Sequence, residues 1–95
     1  MRTIPLPSSQ AHIAFAVDIG DERVRVWLDW LTRYEYFAVH LTASGEQIIA
    51  GRGLHPDQCQ LRDTRLGEVA SLRLEGEAPT LENLGVRNRL VLEVF

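Results

Sequence analysis

The residues that could do chemistry concentrate in one short segment, His55-Pro56-Asp57-Gln58-Cys59, near the middle of the chain. This segment holds an imidazole, a carboxylate and a thiol, which could ligate a metal or act as a nucleophile with its base. A zinc site needs three or four converging ligands, and no second pair of ligands follows at a suitable spacing. No third group is placed to orient a Cys59–His55 pair. We therefore expect a turn here, with no metal, no cofactor and no catalytic role.

Other polar groups with catalytic potential are better explained as surface contacts. His12 and Asp29 are predicted to face each other across a strand pair, where a surface contact is more typical than a general base. Asp21 and Glu22 fall in a predicted turn, where carboxylates are solvated. The glycines of Gly51-Arg52-Gly53 match no phosphate-binding loop. The sequence therefore shows no set of residues that indicates an enzyme.

Composition narrows the class of protein further. The chain has 95 residues, 45% of them hydrophobic, which fits one globular domain. A net charge of −3 argues against nucleic acid as a partner, because phosphate binding needs clustered cations. No apolar run approaches the roughly 20 residues of a membrane span, and the first ten residues carry no apolar signal core. The single cysteine excludes an internal disulfide. All ten basic residues are Arg, a residue type that is enriched in protein interfaces.

The elements that position these residues are predicted from a period-two alternation of apolar side chains. Four successive runs alternate in this way, and they are separated by Gly20-Asp21, Thr32-Arg33 and Ser44-Gly45. Glycine favours the positive φ of tight hairpin turns. The alternation predicts a four-stranded antiparallel meander between Ala11 and Ala50.

The strand register can be tested from the sequence, because directly opposed residues share one face of a sheet. If each turn is a two-residue loop, Val26 opposes Phe15 on one side and Val39 on the other. The same rule places Leu41 opposite Ile48. All three turns then bring the apolar side chains to one face, and a slip of one residue would destroy that agreement.

The rest of the chain completes an all-β fold. We expect a loop over residues 51–63 with Leu54 and Leu61 in the core, and a strand over residues 66–74. The last run, from Leu90, is apolar on both faces, which favours a central rather than an edge strand. We predict a small antiparallel β-barrel or β-sandwich of about six to seven strands. Residues 11–95 form its single β domain.

Residues 1–10 are predicted to be an extended arm. Pro5 and Pro7 fix φ and bias the preceding residues toward extended conformations. The arm could dock on a neighbouring molecule, or it could form a strand that wraps its own sheet. In the first case Ile4, Pro5 and Leu6 would bind a partner.

The outer face of the predicted meander is the second candidate for partner binding. Trp27 is predicted to stand between Ala14 and Ala38, close to Arg25 and Tyr36. A Trp among small residues and Arg is typical of an interface anchor. Later strands could instead cover Trp27 as part of a second core layer.

Two further arginines, Arg87 and Arg89, alternate at the start of the last strand and share a face. With Arg25 and Arg73 they could form a basic patch for an acidic partner surface. Alternatively, they pair with carboxylates of the chain itself, namely Glu75, Glu77 and Glu82.

The order of these elements resembles the baseplate plug family of contractile-tailed bacteriophages. The resemblance covers Ile4-Pro5-Leu6, the short Pro/Ser/Gln arm, the meander and the glycine-containing middle loop. It ends with Leu84-Gly85-Val86-Arg87-Asn88-Arg89-Leu90-Val91, which leads into the terminal strand.

The resemblance implies a non-enzymatic structural component of the virion, made in the host cytoplasm and located in the tail baseplate. It implies a position near the tail axis at the junction of tube and hub, with tube, hub and spike proteins as partners. It also implies a homo-oligomeric ring. The residues alone leave a second possibility, a free-standing small β-barrel module that binds another protein.

Overall fold

The computed structural model describes residues 2–95 as an all-β fold, which confirms the predicted class. Seven strands form two antiparallel sheets, one of three strands in the order β1-β7-β6 and one of four in the order β2-β3-β4-β5. The two sheets are not closed into a barrel. The barrel, one of the two architectures predicted from the sequence, is therefore not observed. The strands are β1 (Arg2–Ile4), β2 (His12–Ile19), β3 (Glu22–Leu31), β4 (Tyr36–Ala43), β5 (Glu46–Gly53), β6 (Ala70–Gly76) and β7 (Asn88–Val94).

The predicted meander is confirmed as the four-stranded sheet, and its first hairpin has the predicted register. Phe15 opposes Val26, and Ile19 opposes Glu22 across the two-residue loop Gly20-Asp21. Gly20 takes a φ of 61°, as the tight turn requires.

The second hairpin differs from the prediction by two residues. Val26 opposes Leu41 rather than Val39, because the loop between β3 and β4 has four residues, 32–35, instead of two. A shift of two residues keeps every side chain on its predicted face, since side chains in a strand alternate with period two. The apolar face of the meander is therefore as predicted although the pairing is not.

The third hairpin has the predicted loop, Ser44-Gly45, but a register shift follows it. Leu41 opposes Ile49 rather than Ile48, because a shift of the bulge type lies between Leu41 and Thr42. A bulge leaves one extra residue on its strand, so Ile49 is buried and Ile48 only partly so.

The three-stranded sheet closes the fold. Its central strand is β7, as the apolar character of both faces of this run predicts, and it pairs with β6 and β1. The predicted strand over residues 66–74 begins later than expected. Arg65–Glu68 forms a short 3₁₀ helix that buries Leu66, and β6 starts at Ala70. Strand β5 extends to Gly53, into the predicted loop over residues 51–63, so this loop is shorter than predicted.

One hydrophobic core lies between the sheets and receives side chains from both. The meander contributes Val24, Val26 and Leu41, each with 0% of its surface exposed. Leu54 and Leu61 are also buried in this core, as predicted from the sequence. Within residues 2–95, no helix has the length and hydropathy needed to cross a membrane.

A candidate partner-binding surface

Trp27 lies on the outer face of the four-stranded sheet. It directly opposes Ala14 on β2 and His40 on β4, whereas the predicted neighbour Ala38 opposes Asp29. Trp27 is half-buried and does not belong to the core cluster. Within residues 2–95 no strand of the other sheet pairs with the meander, and the core cluster includes no side chain from the face of Trp27, so no second core layer is seen there.

Arg25 is next to Trp27 on the same face and differs from the other charged groups there. Arg23 Nη1 donates a hydrogen bond of 3.2 Å to Asp18 Oδ1. Arg25 is exposed, and among the described residues it has no ion-pair or hydrogen-bond partner for its side chain. It faces only Ala16 and Thr42 on the neighbouring strands. An exposed, unpaired guanidinium beside a Trp can bind a carboxylate of another molecule.

A polar row crosses the same face beside Trp27. His12 Nδ1 donates a hydrogen bond of 2.8 Å to Asp29 Oδ1, as the predicted strand register required. His40 Nε2 lies 3.5 Å from the other oxygen of the same carboxylate. Asp29 therefore links β2 and β4 through two imidazoles. The side chains of His12 and Asp29 are both accessible to solvent, so their pair is a contact at the protein surface.

Tyr36 lies at one end of this face in an aromatic group that the sequence analysis did not predict. Its ring stacks on His55 at 6.3 Å, with an angle of 29° between the planes. The ring centre of Tyr34 lies 6.4 Å from that of Tyr36, and Tyr34 is 64% exposed. Arg33 Cζ is 5.9 Å from the centre of the Tyr34 ring. The turn predicted at Thr32-Arg33 places both tyrosines in the strand that follows it. The available signal was an Arg and two tyrosines within four residues, with Arg33 and Tyr34 in the loop and Tyr36 at the start of β4.

The first residues of the predicted arm pack on their own domain. Ile4 belongs to β1, pairs with Leu90 of β7 and is 4% exposed in the core. Leu6 is partly buried against the same core, and Pro5 is exposed. Of the two arrangements considered for the arm, the strand on its own sheet is the one present, and it leaves Pro5 and part of Leu6 accessible to a partner.

Gly85 permits this docking. It has a φ of 80°, and a Cβ atom in its place would lie 2.6 Å from the backbone oxygen of Leu6. Only glycine combines that backbone conformation with so close an approach. Gly85 thus links the closing segment of the chain to its first ten residues.

Arg87 and Arg89 have partners within the chain. Arg89 lies 3.0 Å from Glu75, which it opposes in the ladder between β6 and β7. Arg87 lies 3.5 Å from Glu77. Both pairs are exposed, and exposed ion pairs contribute little to stability.

The predicted basic patch does not assemble from all four arginines. Arg89 and Arg73 are on the outer face of the three-stranded sheet, whereas Arg25 is on the outer face of the four-stranded sheet. These two faces point away from each other because the core lies between the sheets.

The central His55–Cys59 segment does not gather its polar groups. His55 stacks on Tyr36, and Asp57 takes a φ of 63° and donates its backbone N–H to the oxygen of Leu74 at 2.8 Å. Residues 2–95 contain no group of three His, Cys, Asp or Glu side chains arranged to hold a metal ion.

The Cys59 thiol is partly buried against β6. Burial raises its pKa, but interactions with the Ser71 hydroxyl and with the backbone of Leu72 and Leu61 oppose this effect. The nearby charge of Arg73 also lowers the pKa. Together these interactions outweigh the effect of burial, so the pKa of Cys59 lies below its ordinary value.

Comparison with known proteins supports the resemblance noted in the sequence. A protein-family model described as "Cyanophage baseplate Pam3 plug gp18" matches residues 1–94 of the 95-residue chain. No curated protein matches the chain. The match extends from the arm through the meander and the Gly85 segment to the end of β7. The chain therefore belongs to the phage baseplate plug family.

Proposed function

We propose that this protein is a structural part of a contractile-tail baseplate, located near the tail axis at the junction of tube and hub, and that it works through protein–protein contacts alone. Family membership indicates a structural role in the phage baseplate and points away from an enzyme. The position at the junction follows from the resemblance described above. The surface that we assign to these contacts is the part of the meander's outer face around Trp27 and Arg25.

The observation that carries this assignment is that Trp27 and Arg25 share the outer face of β3, two residues apart. Trp27 supplies apolar area between Ala14 and His40, and Arg25 supplies a charge that nothing in residues 2–95 neutralises. Interface hot spots are enriched in Trp, Tyr and Arg. Tyr36, with the exposed Tyr34, extends the surface toward the loop between β3 and β4.

The partners that we propose are the tube, hub and spike proteins and further copies of the chain in a ring. A cyclic ring needs heterologous contacts, in which two different patches of the chain meet. The outer face of the meander would be one patch. The second would be formed by Arg87, Arg89, Pro5 and Leu6, of which Leu6 is partly buried and the other three are exposed. Ile4 acts by holding β1 in the core, so its role in assembly is indirect.

Complementation of a phage that lacks this gene tests the proposal. Trp27→Ala and Arg25→Ala should each reduce the number of complete tails, and the double variant should reduce it further. Arg23→Ala is the matched control, because Arg23 is on the same strand and face but is paired with Asp18. Normal tails from the double variant, with the protein incorporated at its usual amount, would exclude this surface.

A further inference from the structure

The two sheets have four edge strands, and three of them are protected against pairing with another chain. Strand β1 has only three residues and is followed by Pro5. The edge of β6 is covered by the preceding loop, because Asp57 and Gln60 donate their N–H groups to Leu74 and Leu72. Strand β5 carries two register shifts within its eight residues. Short strands, prolines, bulges and covering loops are the devices by which natural sheets block their edges.

The edge of β2 has none of these devices. Its eight residues pair with β3 without interruption, and it contains no proline. Trp30 donates its N–H to the oxygen of Ala11 at 2.8 Å, which fixes the alternation of the antiparallel ladder. Four residues therefore direct their backbone N–H and C=O groups away from β3, and no other backbone group within residues 2–95 bonds to them: His12, Ala14, Ala16 and Asp18.

We propose that a second copy of this chain binds the free edge of β2 through its own β2, antiparallel, about a twofold axis that passes beside Phe15. The two meanders would then form one continuous eight-stranded sheet. This self-association goes beyond the baseplate role and does not depend on it.

The charges of β2 favour this register. An axis at Phe15 places His12 of each copy opposite Asp18 of the other. His12 already contacts Asp29, and Asp18 already contacts Arg23. Along this row, from β3 and β2 of one copy to β2 and β3 of the other, acidic side chains would alternate with arginine or histidine side chains. The side chains of His12 and Asp18 are 82% and 67% exposed, so both remain accessible to the second copy.

The middle of β2 is complementary to itself as well. Ala14 would oppose Ala16 of the second copy on the outer face, where small side chains allow close approach. On the inner face the two Phe15 side chains would meet at a pair without hydrogen bonds, the type of pair in which Cα atoms come to about 4.5 Å. Phe15 is only partly buried in the single chain, so it has area left to bury. Aromatic pairs across strands stabilise sheets.

This contact differs from the contacts of a ring. A twofold contact is isologous and closes after two copies, whereas a cyclic ring requires heterologous contacts. The β2 pair therefore describes the free protein before assembly. In that state it would shield an edge that could otherwise recruit unrelated strands.

Measurements on the free protein test the proposal. Sedimentation equilibrium from low to high micromolar concentration should show a reversible monomer–dimer equilibrium. Hydrogen exchange at the amides of Ala14 and Ala16 should slow as the dimer forms. The amide of Gln47, on the bulged β5 edge, should exchange at a rate independent of concentration.

Charge variants at the centre of β2 provide the sharper test. The double variant Ala14→Glu/Ala16→Glu should weaken the dimer at least about tenfold, because two pairs of like charges would oppose each other. Ala14→Lys/Ala16→Lys should do the same, and mixing the two variants should restore the dimer. The matched control is Gln47→Glu/Ala50→Glu on the β5 edge, where both residues are exposed and dimerisation should be unchanged.

Three results would overturn the proposal. The first is a protein that stays monomeric at high micromolar concentration. The second is a mixture of the Glu and Lys variants that associates no better than either alone, although thermal melting shows both folded. The third is protection of the Ala14 and Ala16 amides only inside the assembled baseplate, which would assign the β2 edge to a strand of another protein. The complementation result for Trp27 and Arg25 is independent of all three.

Discussion

Trp27 and Trp30 lie three residues apart on β3 and consequently on opposite faces of the four-stranded sheet. Trp30 packs against the core, where its ring meets Phe37 edge to face at 5.0 Å. Trp27 faces outward between Ala14 and His40. One strand thus carries one tryptophan for folding and one that we assign to partner binding.

Replacing each tryptophan by alanine should separate these roles. Trp30→Ala should lower the free energy of unfolding by about 2–4 kcal/mol, since it removes a large side chain from the core boundary. Trp27→Ala should cost less than about 1 kcal/mol, as expected for a surface position. Chemical denaturation of both variants gives the comparison. A loss for Trp27→Ala as large as that for Trp30→Ala would show that Trp27 is a folding residue.

The pair Glu22–Arg65 should make stability depend on acid pH. Arg65 Nη1 and Nη2 donate to the two oxygens of Glu22 at 2.6 and 2.8 Å. This hydrogen bonding holds the pKa of Glu22 below its ordinary value. A depressed carboxyl pKa stabilises the fold above the unfolded-state pKa, and the effect disappears as pH falls through the folded-state pKa.

Glu22→Gln should therefore lower the melting temperature at neutral pH and have little effect well below the ordinary pKa of a carboxyl group. Asp21→Asn is the matched control, because Asp21 is adjacent but its exposed side chain makes no hydrogen bond or ion pair within residues 2–95. Melting curves of both variants across acid and neutral pH make the test. An equal effect of Glu22→Gln at every pH would contradict the role assigned to the ion pair.

Gln60 should be replaceable with a gain in stability. It is 0% exposed, and neither its amide nitrogen nor its amide oxygen has a hydrogen-bond partner within residues 2–95. An unpaired buried polar group costs about 1–3 kcal/mol. Gln60→Met keeps the approximate shape of the side chain and should raise the free energy of unfolding by a similar amount. Gln58→Met, at an exposed position of the same loop, is the control and should leave the free energy of unfolding unchanged. If Gln60→Met instead destabilises the protein, the Gln60 amide has hydrogen-bond partners in solution.

Gly85 should be more sensitive to substitution than Gly20, although both have positive φ. A Cβ atom at Gly85 would meet the Leu6 oxygen at 2.6 Å, whereas nothing lies within 4 Å of a Cβ atom at Gly20. Gly20→Ala should cost about 1 kcal/mol from the backbone conformation alone. Gly85→Ala should cost more and should speed hydrogen exchange at the Ile4 amide, because it displaces the arm. Equal losses for the two variants would show that Gly85 does not hold the arm.

The sequence was sufficient for the local part of the fold. Alternating apolar residues, with glycine in the first and third turns, specified the meander, since each hairpin depends only on neighbouring residues. The two-residue error at the second hairpin arose because Thr32-Arg33 resembles a tight turn, while the loop in fact continues through Tyr34 and Glu35. The extra residue in β5 was also not predictable, because Ile48 and Ile49 are equally apolar and either could have been buried.

The contacts between distant parts of the chain were the harder part. The pairing of Arg2–Ile4 with β7 joins opposite ends of the sequence, and no local pattern specifies it. The stacking of Tyr36 on His55 likewise depends on where the middle loop crosses the meander. The outward position of Trp27 was predictable, because strand alternation fixes which residues share its face.

Site-specific photo-crosslinking in assembled tails tests the central claim most directly. A photoreactive residue at position 27 should crosslink this protein to another tail protein or to a neighbouring copy. The same residue at position 23, on the same face but at the paired Arg23, should crosslink less. Crosslinks that form from position 73, on the opposite outer face, and not from position 27 would contradict the assignment of the Trp27 surface to partner binding.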